Sequence, residues 1–405
     1  MASDPGSTIQ PTTARLESID IYRGMAMFLM LAEVLHLSQL DSHKEGFPGW
    51  VQQLFDWISF HTSHVAWGGC SLHDMIQPSF SFLVGTSLAF SCAKRLAAGQ
   101  SWASLWLHAL WRSLALIFLG IFLRSLGRSQ TNFTFDDTLT QIGLGYGFLF
   151  LCAPRSPRAL FFIGSGILVG YWIAFVAFPL PDASFPYEQV GVPMAWPEHY
   201  TGFASHWNKN SNLAWKFDTW WMNLFPRESP FLFSGGGYCT LSFIPTLGTM
   251  IMGLIAGKWL QMEMRFPDRM LRMVATGTIC MVIAWLLDRL GVCPIVKRIW
   301  TPSWTLWSGG ICFLFLGSLH AICDVGRRSR WGTFWKIIGA NSILAYAMSW
   351  TLEGPIQSAI ERHFGWLLDR TVDNMWRPFL LGAMVLAIFW SILAWLYRKR
   401  LFVRI

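Results

Sequence analysis

Again and again along this chain, about twenty mostly apolar residues run together, the length an α-helix needs to cross ~30 Å of hydrocarbon. Such stretches read at about 23–40, 72–92, 103–123, 138–153, 158–179, 240–260, 270–288, 302–322, 333–351 and 376–397. Backbone groups in lipid must satisfy one another, so each span has to be helical. The predicted fold class is therefore an all-α polytopic membrane protein with about ten transmembrane helices. Composition agrees: 53% of residues are hydrophobic and only 13% charged, against roughly 25% charged in soluble domains. The 24 Trp and 32 Phe residues fit interfacial belts and lipid-facing surface, so aromatic richness alone carries no functional argument.

Residues 1–14 are polar and rich in Pro, Gly, Ser and Thr, which predicts a flexible tail without the basic start of a signal peptide. Residues 15–405 read as a single transmembrane domain. Between spans five and six lies a long loop, 181–238, and its many Trp residues predict a packed cap rather than a loose linker. The net charge of +8 reads as a record of topology, and no nucleic-acid partner is expected. Placing both termini in the cytoplasm puts most basic short-loop residues, Lys94, Arg95, Lys258 and Arg327 among them, on the inside, and makes the 181–238 loop exoplasmic. Arg124, Arg128, Arg289, Lys297 and Arg298 run against that assignment. The eight cysteines are scattered, with no CxxC pair, and read as small buried hydrophobes.

Polar chemistry concentrates in one place, from His61 to Gly85: HTSHVAWGGCSLHDMIQPSFSFLVG. Three histidines, a cysteine and an aspartate there crowd the start of an apolar span, where charge is costly unless paired or used. A metal set drawn from His61, His64, Cys70 and Asp74 matches no common zinc spacing, and no metal is expected. Further polar groups sit within spans. Glu33 and His36, three residues apart, are predicted to share one helix face. Arg112 is expected either in a structural pair, for instance with Glu33, or on a phosphate. Asp20 and Arg23 are expected to pair at a helix end, and Asn341 to hydrogen-bond between helices or line a substrate path.

Four ordered landmarks, SIDIYRGMAMFLML, SHVAWGGCSLHDMIQPSFSFLVG, SFIPTLGTMIMGLIAGK and GANSILAYAMSW, resemble those of the heparan-alpha-glucosaminide N-acetyltransferase family and its bacterial members. The resemblance covers nearly the whole chain. It implies an enzyme that moves an acetyl group from cytosolic acetyl-CoA across the membrane to the amine of a terminal glucosamine. It places the family's essential histidine on His64, with Trp67 and Gly69 after it, and its aspartate on Asp74. Asp20, Arg23 and Gly24 match the first landmark, Arg112 an arginine of the third span, and Asn341 and Ser342 the last. Catalytic roles are thus implied for His64 and Asp74, and donor binding for Arg23, Arg112 and Asn341. Two positions depart from the pattern: Val34, beside Glu33, stands where the human-type enzymes have asparagine, and Ile142 follows Gln141 where an arginine is expected. The bacterial members imply a bacterial inner membrane.

The chemistry has its own logic. An ammonium group must lose a proton before it attacks a thioester, and a histidine near pKa 6.5 is suited to accept it. His64 is the candidate base, or a nucleophile that carries the acyl group in passing. Asp74 would orient the imidazole and stabilise its cation. The expected partners are the lipid bilayer, acyl-CoA and an exoplasmic glycan acceptor offering an amine or hydroxyl; homo-oligomers or a larger membrane complex are compatible with the sequence. Two other classes stay open: a catalytically silent structural subunit that kept the fold, and a transporter or flippase using Glu33, His36 and Arg112. The enzyme requires a cavity leading from a basic cytoplasmic mouth to His64.

Overall fold

The structure is a computed structural model describing residues 16–182, 184–373 and 375–403; the predicted 1–14 tail lies outside them. The described residues form α1 (Glu17–Leu31), α2 (Gly49–His61), α3 (Ile76–Ala97), α4 (Trp102–Ser125), α5 (Thr138–Cys152), α6 (Pro157–Ala177) and α7 (Leu213–Trp221). The second half adds α8 (Phe243–Gln261), α9 (Phe266–Arg289), α10 (Pro302–Leu319), α11 (Thr333–Ala340), α12 (Ser342–Thr351), α13 (Glu353–Thr371) and α14 (Arg377–Arg398). The expected all-α architecture is present, and the described residues hold one isolated antiparallel bridge, Gly68 with Val296.

Local chemistry sets where these helices begin. Ser101, Ser156 and Thr301 each accept a backbone N–H from three residues on, at the starts of α4, α6 and α10. Asp137 caps α5 by accepting from Leu139 and Thr140. Such caps satisfy N–H groups that have no partner inside the helix.

Six helices, α4, α6, α8, α9, α10 and α14, are long and apolar enough to cross a membrane. Of α8's apolar window 78% is buried, but of α9's only 17%, so α8 runs through the middle of the bundle and α9 along its lipid-facing edge. Helices α3 and α8 pack along their lengths through glycines. A methyl group on Gly85 would run into the Met250 carbonyl, and one on Gly253 into that of Phe82. Small residues let spans approach this closely in lipid, where no hydrophobic force holds helices together. Gly253→Val is therefore expected to destabilise the protein by about 1–3 kcal/mol or more, read as a fall in unfolding temperature in detergent.

Four of the ten expected spans are not among these six: α3, over 72–92, and α5, over 138–153 but only 15 residues long, and two that take a different form. The 23–40 stretch is helical only to Leu31; Ala32–Leu35 tightens into a 3₁₀ turn and His36 is left-handed at φ 52°. Glu33 and His36 therefore do not stack on one α-helical face. The 333–351 stretch breaks at Asn341 into α11 and α12, because the Asn341 side chain binds the C-terminal segment, donating to the Leu401 carbonyl (3.0 Å) and accepting from Val403 N–H (2.9 Å).

The 181–238 segment carries α7 and several 3₁₀ turns rather than an open loop. Its Trp207 is fully buried and stacks on Phe175 of α6 at 4.7 Å. It joins a core cluster with Trp67, Tyr171, Cys293 and Val296. Just past the segment's end, Gln141 of α5 donates to the carbonyls of Phe135 and Thr240. Three connections thus meet at one end of the bundle: residues 62–75 between α2 and α3, the cap segment, and residues 290–301 between α9 and α10.

Candidate active site

The 62–75 connection is held from both sides before its histidines do anything. Trp67 is fully buried and its indole N–H donates to the Trp207 carbonyl (3.1 Å). Gly69 N–H donates to the Ile295 carbonyl (2.9 Å). Arg298 closes the frame, giving Nε and Nη2 to the Val65 carbonyl (3.3 and 3.0 Å) and Nη1 to that of Gly236 (3.0 Å). A side chain carried on such a frame keeps its orientation, which catalysis requires.

Asp74 is the hub. Its Oδ2 accepts from the backbone N–H groups of Val65 (3.3 Å) and Ser71 (3.1 Å) and lies 3.0 Å from Ser71 Oγ. Its Oδ1 meets His64 Nδ1 at 2.8 Å and Lys297 Nζ at 3.1 Å, and Lys297 Nζ is also 3.0 Å from His64 Nδ1. Burial alone would raise the Asp74 pKa. The His64 hydrogen bond and the Lys297 charge outweigh it and hold the carboxyl well below the usual range. As an ionised acceptor, Asp74 accepts hydrogen bonds from His64 Nδ1–H and from Lys297 Nζ, and Lys297 Nζ and His64 Nδ1, both donors to it, touch without a hydrogen bond between them. The second imidazole nitrogen, Nε2, then carries a lone pair.

His64 is in the form a base needs. Burial pushes its pKa down, Asp74 pulls it up, and the Lys297 charge adds to the fall, leaving it below the ordinary imidazole value. The Lys297 pKa is itself lowered by burial, against the pull of Asp74. Cys70, the nearby alternative nucleophile, has its thiol pushed up to about 12 by burial, so almost none is thiolate near neutral pH.

The other histidines sit around this core. His61 Nδ1 accepts from Leu72 N–H (3.3 Å). His73 is buried, 4.6 Å from His64 between ring centroids, and its Nε2 lies 2.6 Å from Glu33 Oε1. Both are hydrogen-bonded neighbours of the His64 site.

The remaining sequence candidates lie elsewhere. Arg23 pairs with Asp20 (3.4 Å) and donates to Ser87 Oγ (2.7 Å). Arg112 sits on Tyr146, donating to its hydroxyl (3.2 Å); Glu33, its suggested partner, is turned to His73. Both arginines line a cavity of about 670 Å³, together with Lys94 and Arg95. Asn341 stands beside it, between the lining residues Ala340 and Ser342. Neither His64 nor Asp74 lines this cavity.

Lys297 is the residue sequence reasoning missed. Its signal was its disagreement with the positive-inside pattern. Buried Lys297 and half-buried Arg298 are not free loop charges but groups spent on the His64 connection, so they drop out of the count that sets orientation.

No family model matches the chain. Among curated proteins it is 25% identical over 445 aligned positions to heparan-alpha-glucosaminide N-acetyltransferase of Homo sapiens. It is 24% identical over 441 positions to the Mus musculus protein of the same name. Each alignment takes in 98% of this chain and 62% of the relative, so the chain spans under two thirds of the length of the proteins it matches. Along nearly its whole length, then, the chain is similar to heparan-alpha-glucosaminide N-acetyltransferases.

Proposed function

We propose that the chain is a membrane acetyltransferase that takes an acetyl group from cytosolic acetyl-CoA and gives it to an amine or hydroxyl of an exoplasmic amino sugar or glycan. The observation that carries this reading is the His64–Asp74–Lys297 network, in which buried Asp74 and Lys297 hold a neutral, oriented imidazole whose side chain is 36% exposed. His64 Nε2 removes the acceptor's proton as nitrogen or oxygen attacks the thioester carbonyl, and Asp74 stabilises the imidazolium that forms. The coenzyme A thiolate leaves and takes up a proton.

The donor belongs in the cavity lined by Arg23, Lys94, Arg95 and Arg112. There the buried Arg112 Nε has no hydrogen-bond partner among the described residues, which supports an anionic ligand. Asn341 then supports the donor wall indirectly, by fixing the C-terminal segment that brings Phe402 and Val403 to the cavity. Phe80, a lining residue, is six residues past Asp74, about 9 Å of helix rise, and the thioester end of the donor reaches past it to His64. Both termini are placed in the cytoplasm, in a bacterial inner membrane. A cysteine introduced at 200–215 is then expected to react with an impermeant thiol reagent from outside, and one at Arg328 is not; the reverse pattern overturns the orientation.

Donor binding should be electrostatic and weaken with salt. Charge reversal at Lys94 and Arg95 is expected to weaken coenzyme A binding by tenfold or more, and insensitivity to both salt and reversal would remove the donor from this cavity. The whole reading is tested with purified protein, radiolabelled acetyl-CoA and a panel of amino sugars, where label on an acceptor is expected. One observation favours a second reading: because His64 does not line the donor cavity, a silent structural subunit would have this same architecture. Absence of label on every acceptor decides for that reading.

A further inference from the structure

The tight grouping of Glu33, His64 and His73 does more than acid–base chemistry requires. One ligand atom from each lies within 4.8 Å of the others, though the three come from the end of α1 and from both ends of the 62–75 connection. Two imidazoles and one carboxylate converging, with Glu33 and His64 exposed, form the donor set of open zinc sites, in which three protein ligands leave a fourth position to solvent. We propose that Glu33, His64 and His73 bind a divalent cation of the zinc class, and that the bound ion shuts off acetyl transfer.

Three features support coordination. Asp74 occupies His64 Nδ1, leaving Nε2 to the metal with a carboxylate behind it, the outer-shell arrangement that orients a ligand histidine and raises its basicity. His73 Nε2 and Glu33 Oε1 already face each other at 2.6 Å, so a cation takes the place of the proton they share. Two ligands of a tetrahedral ion stand roughly 3.3 Å apart. The Glu33 side chain is 56% exposed and free to give way by that difference.

The effect on activity rests on the reading of His64 as the base. The lone pair that would take the acceptor's proton is the one given to the metal, so an occupied site cannot deprotonate the acceptor. This set differs from the one considered from spacing alone, because Glu33 lies forty residues from His73 in sequence and only folding brings them together.

Cobalt(II) tests the binding without any turnover. Full-length protein, freed of any histidine tag and stripped with chelator, is titrated with CoCl2 and followed by calorimetry and visible absorption. One ion per chain with a four-coordinate spectrum is expected. Affinity should fall roughly 100-fold in Glu33→Gln and in His73→Ala, since even outer-shell losses cost 10–100-fold. Glu33→Gln keeps the side chain's size at a half-exposed position, and its metal-free unfolding temperature checks that it folds. No uptake by the wild type, or equal uptake by both variants, overturns the site. In the acetyl-transfer assay, ZnCl2 should inhibit and chelator restore activity, with Glu33→Gln needing far more zinc. Binding without inhibition overturns the regulatory role, while a protein that binds cobalt but never transfers acetyl contradicts the enzyme reading and leaves the metal site standing.

Discussion

His64→Ala is expected to cut acetyl transfer by roughly 10²–10⁴-fold, the usual cost of losing a general base, with little change in unfolding temperature. The fold should survive because Asp74 keeps Lys297 and the Val65 and Ser71 N–H groups as partners when the imidazole is gone. In the wild type, turnover should rise with pH as His64 loses its proton. Its depressed pKa puts the midpoint of that rise below the ordinary imidazole value of about 6.5. Asp74→Asn should also reduce transfer, by misplacing the imidazole and weakening its cation, and His61→Ala should matter less. Rates across pH 5–9 on purified variants decide it. A His64→Ala protein with wild-type turnover would move the chemistry to another residue.

Lys297→Met is expected to cost about 3–5 kcal/mol of stability, the range for breaking a buried ion pair from one side. Both partners are nearly inaccessible, with side-chain exposures of 4% for Lys297 and 1% for Asp74, so water cannot take over the lysine's role. The substitution also removes the cation that holds the His64 pKa down, and the acid limb of the pH–rate profile should move to higher pH. The sign for stability follows. In the wild type the lowered His64 pKa stabilises the fold above the unfolded value and costs stability as pH falls; without Lys297 that pKa is less depressed and the acid cost shrinks, so the deficit should be smallest in acid. Removing both charges, as in Lys297→Met with Asp74→Leu, should recover much of the stability but not the transfer. Unfolding temperatures in detergent and pH–rate profiles measure both; a Lys297→Met protein as stable as wild type would show that Asp74 needs no cation.

What the sequence determined by itself is what near neighbours and transfer free energy determine. Long apolar runs in a chain only 13% charged have no stable alternative to helices in lipid, and the all-α membrane class followed. His64 and Asp74 were legible together because the family resemblance implies both, ten residues apart in one landmark. The Asp20–Arg23 pair was legible from its spacing, one helical turn apart.

Only the tertiary structure decided the rest. Lys297 is 233 positions from His64, and hydropathy could count it only as a misplaced loop charge. Its place in the site comes from the packing of α9 and α10 against the Trp67–Trp207 cap. Glu33 looked like a helix-face partner of His36 until the 3₁₀ turn after Leu31 swung it to His73. The 333–351 span read as continuous because its apolar pattern is unbroken, and it divides where the Asn341 side chain finds partners sixty residues away. Helical periodicity records a residue's neighbours within a turn or two; a buried charge takes its partner from whatever the folded chain sets beside it, and that choice appears only once the helices are packed.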